Sequence, residues 1–370
     1  MAAAAAALSS GSSSSEDEDD DDERLAAEIA RLGAALEANP ADYASALGLI
    51  AAQRKTGDLD GVRAARERMA RVFPLTQDIW TPWLEDEARL ASTEAERRAV
   101  LALHERSVGD YLSVPLWLAY CEYAEETFVA RGAEGGVDAA RAVYARALGR
   151  AGLHFARGGE LWASFRAFER RAAESSGAGG ERVLTLFRKQ LRLPMANLAA
   201  VRVEFEQTLG ADAGGEAGGL GGDTGLQRDH ERALRGADAR ARFENALVEE
   251  QFATSPTEAQ LAPWREYAQF EAEQKGDSRS RTLAVYERSV ACWPLSLELW
   301  SEYIAFAGGA SGEAGAACPP AEMAAIHARA VRNISWSGAL WCGYLRAQVQ
   351  VGADDDAMRA AVRHPHSHPS

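Results

Sequence analysis

The sequence is poor in the features that most often betray a chemical function. Its 370 residues hold four cysteines, Cys121, Cys292, Cys318 and Cys342, and none belongs to a C-x-x-C pair. Thiols spaced this widely argue against a disulfide framework and read as reduced cysteines of an intracellular fold. No apolar run approaches the ~20 residues that span a bilayer, so the chain is not expected in a membrane. The N-terminus carries no basic stretch ahead of an apolar one and is not a secretory signal. No alternating run of Val, Ile and Thr marks a strand. The patterns G-x-S-x-G, H-E-x-x-H, G-x-x-x-x-G-K-[ST] and the kinase set are missing, and His104, His154, His230 and His327 stand apart from one another. These absences point to a protein that is not an enzyme, with no catalytic, cofactor-binding or metal-binding residues.

Positive charge is outnumbered, with 40 Lys and Arg against 55 Asp and Glu. The formal net charge is −15, and residues 16–23, EDEDDDDE, supply eight negative charges, leaving −7 on the remainder. No run of five or more Lys and Arg occurs. An acidic body without a basic stripe argues against tight, nonspecific binding to a phosphate backbone.

What the chain has is a repeated pair of amphipathic helices. One helix type places a tryptophan after Leu, Ile or Pro and further aromatics three and six residues on. Its copies are Trp80 with Trp83; Trp117 with Tyr120 and Tyr123; Trp162 with Phe165 and Phe168; Trp264 with Tyr267 and Phe270; Trp300 with Tyr303 and Phe306; and Trp341 with Tyr344. Spacings of three and six residues put these rings on one helix face. The other type carries an apolar or aromatic pair and then an arginine: Arg106, Arg146, Arg288 and Arg329, with Lys189 at the equivalent place in a further copy. Prolines follow in the linkers at Pro74, Pro115, Pro194 and Pro294. The tryptophans recur after 37, 45, 36 and 41 residues, with one gap of 102 between Trp162 and Trp264. That period, with two helices per unit, belongs to an α-solenoid, and the gap should hold one or two degenerate units. In it, residues 198–209 read as a tryptophan helix that has lost its tryptophan, 226–234 as its partner and 241–250 as a further helix.

The expected fold is therefore all-α: a right-handed superhelical solenoid of about seven to eight antiparallel helix pairs. Residues 1–24 read as a disordered serine-rich and acidic tail and 25–363 as the solenoid. Residues 210–225 form a glycine-rich insertion, and 364–370 a disordered tail of His, Pro and Ser. Ser13, Ser14 and Ser15 each precede an acidic residue by three positions, a pattern that suits an acid-directed serine kinase. The recurring aromatics and arginines read as a structural core, because a buried Trp or Tyr hides about 150–250 Å² and anchors packing. Glu169 and Glu271, beside the aromatic face, are expected to pair with the repeated arginines across helices.

The unit W-x-x-[YF]-x-x-[FY]-E, then [YF]-x-R-[AS]-[LV] and a proline, resembles the HAT (half-a-TPR) repeat of RNA-processing factors. Segments such as FPLTQDIW and RAVRNISWSGALWCGYL resemble the branch that recycles the U4/U6 snRNP. The resemblance implies a nuclear protein–protein scaffold in pre-mRNA splicing, found in nucleoplasm, nuclear speckles and Cajal bodies. Its implied partners are spliceosomal and snRNP proteins and ubiquitin-specific proteases, met along the concave surface of a solenoid. No RNP1-like run is present, so contact with U4/U6 snRNA is expected to be indirect. The family's dimer contact lies in later repeats, so dimerisation of this stretch is not expected. Other readings are an mRNA 3′-end-processing scaffold of the suppressor-of-forked type and a TPR-like co-chaperone. The second lacks the Lys/Arg clamp for an acidic peptide.

If Trp300 is core, Trp300→Ala should cost about 3–5 kcal/mol in chemical denaturation. A near-zero cost with lost partner binding would make it a contact residue instead.

Overall fold

The computed structural model describes residues 13–132, 135–176, 180–212, 222–247, 256–309, 317–354, 356, 358 and 359. Among them the fold is all helix. In chain order the helices are α1 Ser13–Ala38, α2 Tyr43–Thr56, α3 Leu59–Val72, α4 Gln77–Leu90, α5 Glu94–Asp110, α6 Val114–Ala124, α7 Gly136–Ala151 and α8 Gly158–Ser176. They continue as α9 Glu181–Gln190, α10 Leu198–Asp212, α11 Thr224–Glu244, α12 Glu258–Ala272, α13 Ser278–Cys292, α14 Leu297–Ala307, α15 Pro320–Asn333 and α16 Gly338–Gln350. One π-helical stretch, Glu125–Ala130, extends α6. From α4 onward, tryptophan helices and arginine helices alternate, as the period requires of stacked helix pairs.

The chain divides into two compact units: residues 1–75 with 331–370, and residues 76–330. In the first, Leu32, Leu36, Leu49, Met69 and Val72 form the buried apolar faces of α1, α2 and α3. The turn between α2 and α3 uses Gly57 at φ 72°, a left-handed conformation that costs glycine little, and Asp58 then caps α3. The later segment of this unit joins at Arg332, which donates to the carbonyls of Ala70 and Phe73 at 2.9 and 2.6 Å. On α16, Trp341 and Tyr344 are half-buried and Ala347 is buried. The Trp341 indole donates to the Ser335 carbonyl at 2.8 Å.

The second unit runs from α4 to most of α15. A large buried cluster gathers Trp117, Tyr120, Tyr144, Trp162, Phe165 and Phe168 from α6, α7 and α8. Helix starts are set by short polar caps. Ser113 accepts from Leu116 N–H and Ser296 from Leu299 N–H, while Thr93 and Glu96 form a full capping box. At the head of α8, Gly158 and Gly159 allow a close approach. A Cβ on Gly159 would sit 2.2 Å from the Asn197 side chain, and one on Gly158 2.7 Å from the Gly152 carbonyl oxygen.

Two expectations meet a different structure. Residues 13–24, expected in the disordered tail, belong to α1. Acidic residues at a helix N-terminus favour helix through its dipole, so the segment needs no core of its own. The stretches 226–234 and 241–244 form one helix, α11, because nothing between them breaks it. Gly236 lies mid-helix, where its missing side chain admits Pro194, 3.1 Å from a built Cβ. Among the described residues one degenerate pair, α10 with α11, lies in the gap between Trp162 and Trp264, within the expected one or two. The tail 364–370, residues 213–221 of the glycine-rich insertion, and 248–250 lie outside the described residues.

His104 of α5 is buried between Tyr120 and Tyr123, ring centroids 5.5 and 5.1 Å away. Burial pushes its pKa down from 6.5 to about 4. A depressed histidine stabilises the fold above its unfolded pKa and loses that contribution as pH falls towards the folded value. Between about pH 7 and 5 the loss at this site should be about 2 kcal/mol. The His104→Phe variant should show a correspondingly shallower loss over that range in urea melts.

Candidate functional site: the joints between repeats

Arg146, Arg288 and Arg329 each meet a glutamate two helices back along the chain. On α7, Arg146 donates to both carboxylate oxygens of Glu105 on α5, at 2.9 and 2.7 Å, and to the Tyr120 hydroxyl at 3.0 Å. The Tyr120 hydroxyl in turn donates to Glu105 at 2.9 Å. On α13, Arg288 grips Glu244 of α11 at 2.7 and 2.8 Å, with the Tyr267 hydroxyl bonded to the same carboxylate. On α15, Arg329 grips Glu287 of α13 at 2.7 and 2.7 Å, and the Tyr303 hydroxyl donates to Glu287 at 2.6 Å. Each joint clamps the tryptophan helix lying between two arginine helices. The guanidinium also lies over a ring of that helix: Arg146 over Tyr120 at 5.6 Å, Arg288 over Trp264 at 5.5 Å and Arg329 over Trp300 at 5.8 Å.

Charge and burial differ between copies. Glu244 and Glu287 are both enclosed: for Glu287, burial raises the pKa, but Arg329 and the Tyr303 hydroxyl outweigh this and hold it below its ordinary value. Tyr303 is pushed well up, first by burial and then by the neighbouring Glu287. Tyr120 is raised to about 12, again mainly by burial. In the first joint both charged side chains are about half exposed, at 48% and 49%. Arg106 is likewise exposed and lies over Trp80 and Trp83 at 5.8 and 5.6 Å. Both sit at the rim of the core, their stems covering rings while the charge stays in water.

Three of the second unit's repeat indoles donate to a helix end or a linker, whereas the buried Trp264 indole nitrogen has no partner among the described residues. Trp80 donates to Asp110 at 2.9 Å, Trp162 to the Gly152 carbonyl at 3.1 Å and Trp300 to the Pro294 carbonyl at 2.8 Å. In all four clearest copies an aromatic ring of the preceding arginine helix stacks on the tryptophan helix, as Tyr144 does on Phe165 at 4.7 Å and Phe243 on Tyr267 at 5.2 Å.

Glu169 and Glu271 do pair across helices, but with other arginines than the four in the repeat pattern. Glu169 receives two bonds from Arg141, at 2.7 and 2.8 Å, and Glu271 two from Arg240, both at 2.6 Å. The carboxylates missed in the sequence are Glu105, Glu244 and Glu287. Their signal was available: Glu105 and Glu287 directly precede Arg106 and Arg288, and Glu244 follows Phe243 as Glu287 follows Tyr286. In the Lys189 copy the joint is rebuilt. Lys189 is exposed, and Arg166 of α8, stacked over Phe187 at 4.2 Å, donates to Gln190 and to Glu204 at 2.7 Å.

The described residues bring no metal-binding cluster of His, Cys, Asp and Glu together, and no described helix is long and apolar enough to cross a membrane. All four cysteines are free thiols, with Cys342 alone among them exposed. Trp336, 68% exposed, is the most exposed large apolar side chain among the described residues.

Arg329→Ala should cost about 3–5 kcal/mol, because it strands the enclosed Glu287 carboxylate. Arg146→Ala, in the half-exposed copy, should cost at most about 1 kcal/mol. Urea melts of the two variants test this ordering.

The family model described as PRP39 N-terminal HAT repeat matches residues 30–207, and that described as PRP39 C-terminal HAT repeat matches 238–346. Among curated proteins, the chain is 32% identical over 333 residues to mouse (Mus musculus) "Spliceosome associated factor 3, U4/U6 recycling protein", covering 90% of this chain and 32% of that protein. The human (Homo sapiens) counterpart is 32% identical over 327 residues, covering 88% of this chain and 31% of the relative. The zebrafish (Danio rerio) counterpart is 31% identical over 349 residues, covering 90% and 34% respectively. The chain thus spans about a third of the length of these relatives. With alternating helices, inter-repeat joints and two adjoining model matches in agreement, this chain belongs to the HAT-repeat family.

Proposed function

We propose that this chain is a non-enzymatic protein–protein scaffold that acts in reassembly of the U4/U6 snRNP during pre-mRNA splicing. The observation that carries the reading is its likeness, along 90% of its length, to a relative described as a U4/U6 recycling protein. The chemistry of the joints supports it. The conspicuous aromatics and charges are engaged in holding helices together, which leaves the outer faces of the helices for partners. On this reading the partners are spliceosomal and snRNP proteins and ubiquitin-specific proteases, and U4/U6 snRNA is reached through them. The site of action is the nucleus, in nucleoplasm, speckles and Cajal bodies. Trp80, Trp117, Trp162, Trp264, Trp300 and their companion rings serve as repeat core. Ser13, Ser14 and Ser15 serve as sites for an acid-directed kinase.

A pull-down from nuclear extract, with sequencing of retained RNA and mass spectrometry of retained proteins, tests the reading. U4 and U6 RNA with their proteins and a ubiquitin-specific protease are expected, and the RNA should be lost after proteins are stripped by high salt. Cleavage-factor subunits or chaperones in their place would overturn it. Phosphopeptides from the same material report on the three serines.

A further inference from the structure

Within the second unit, α7 meets α15 although 172 residues separate the contacting side chains. Arg150 donates to Glu322 across 3.1 Å. Nearby, Arg329 reaches the Asp110 carbonyl at 3.4 Å. This seam differs from the enclosed joint beside it and matches the exposed Arg146–Glu105 joint in its burial. Its ion pair is 51% and 35% exposed, whereas the Arg329–Glu287 pair beside it is 10% and 16% exposed. An exposed pair of this sort is weak and salt-screened.

The seam is also underpacked. Two recesses, of about 230 and 140 Å³, lie along it, and Tyr111 and Leu112 contribute to the walls of both. Leu283 and Glu287 of α13 line the larger recess, Ala291 and Cys292 the smaller. Recesses of this size, lined in part by charged groups, admit water. Several helix pairs separate the two sides along the chain. In a repeat array a small rotation at each interface adds up along its length, so the sides can part while every joint stays intact.

We propose that this seam is a reversible clasp. Arg150 and Glu322 hold the second unit closed, and their separation exposes the cleft in front of Glu287, Tyr303 and Arg329. The clasp opens without unfolding, because each Glu–Tyr–Arg trio lies within one side, and beyond the ion pair only the long 3.4 Å contact from Arg329 to the Asp110 carbonyl has to part.

The test places spin labels on the exposed positions Ala145→Cys and Ala325→Cys, with Cys342→Ser removing the exposed native thiol. Electron–electron distance measurements then compare about 0.01 M with about 1 M salt, where the screening length falls from ~30 to ~3 Å. The expected result is an added, longer distance at high salt, shifted outward by about one helix diameter, ~10 Å. Arg150→Glu should give that longer distance already at low salt, and Arg150→Glu with Glu322→Arg should restore the short one. Circular dichroism melts identify a variant that fails to fold, in which case the salt series on the unaltered pair decides. A single short distance at both salt concentrations overturns the clasp. So does a swap that leaves Arg150→Glu open, since the closure would then rest on a different contact.

Discussion

The structure of the second unit depends on one interaction used repeatedly: a guanidinium closing on a carboxylate two helices away, with a tyrosine of the helix between them bonded to the same carboxylate. Arg288 with Glu244, and Arg329 with Glu287, each reach over an intervening tryptophan helix and fix its distance and roll. Apolar packing alone would leave a helix pair free to slide, because rings and aliphatic groups tolerate many registers. A bidentate pair admits one register, since two parallel N–H···O bonds need a planar fork to face a planar acid. The tyrosine hydroxyl satisfies a further lone pair of the buried acid, which limits the desolvation cost that such pairs otherwise carry.

This arrangement bears on function by subtraction. Many residues that look chemically active are spent on architecture: the indoles of Trp80, Trp162 and Trp300 on Asp110 and linker carbonyls, Tyr120, Tyr303 and the joint arginines on glutamates, and the buried histidines on packing. A HAT array is then a framework with strong internal joints and plain outer faces, as fits a chain whose relatives are spliceosome-associated. The same contrast marks the second unit's own seam, where Arg150 and Glu322 meet in solvent instead of in a core.

Much of this was legible in the residues. A tryptophan followed at three and six positions by aromatics can bury that face only as a helix, and its recurrence near 40 residues can only be an array. The arginines were legible as a class but their partners were not. Glu169 and Glu271, beside the aromatics, were the natural choice, yet Arg141 and Arg240 hold them, because those side chains start one helical turn before the stacked Tyr144 and Phe243. The degenerate middle was hard to read because its markers had been replaced: Lys189 stands outside, and Arg166 on the other helix type does the joining. The acidic start reads as disorder by composition, while the backbone of α1 runs on to Ser13, since composition measures burial and a helix can lengthen without it.

The sequence by itself determined that the chain is helical, that it repeats, and which face of each helix is buried, because periodicity and side-chain size act locally and are visible in a single strand of letters. Only the tertiary structure decided which carboxylate each arginine takes and that α7 comes back to α15. Those choices depend on the accumulated rotation of many helix pairs, and on where a flexible charged side chain ends rather than where it begins.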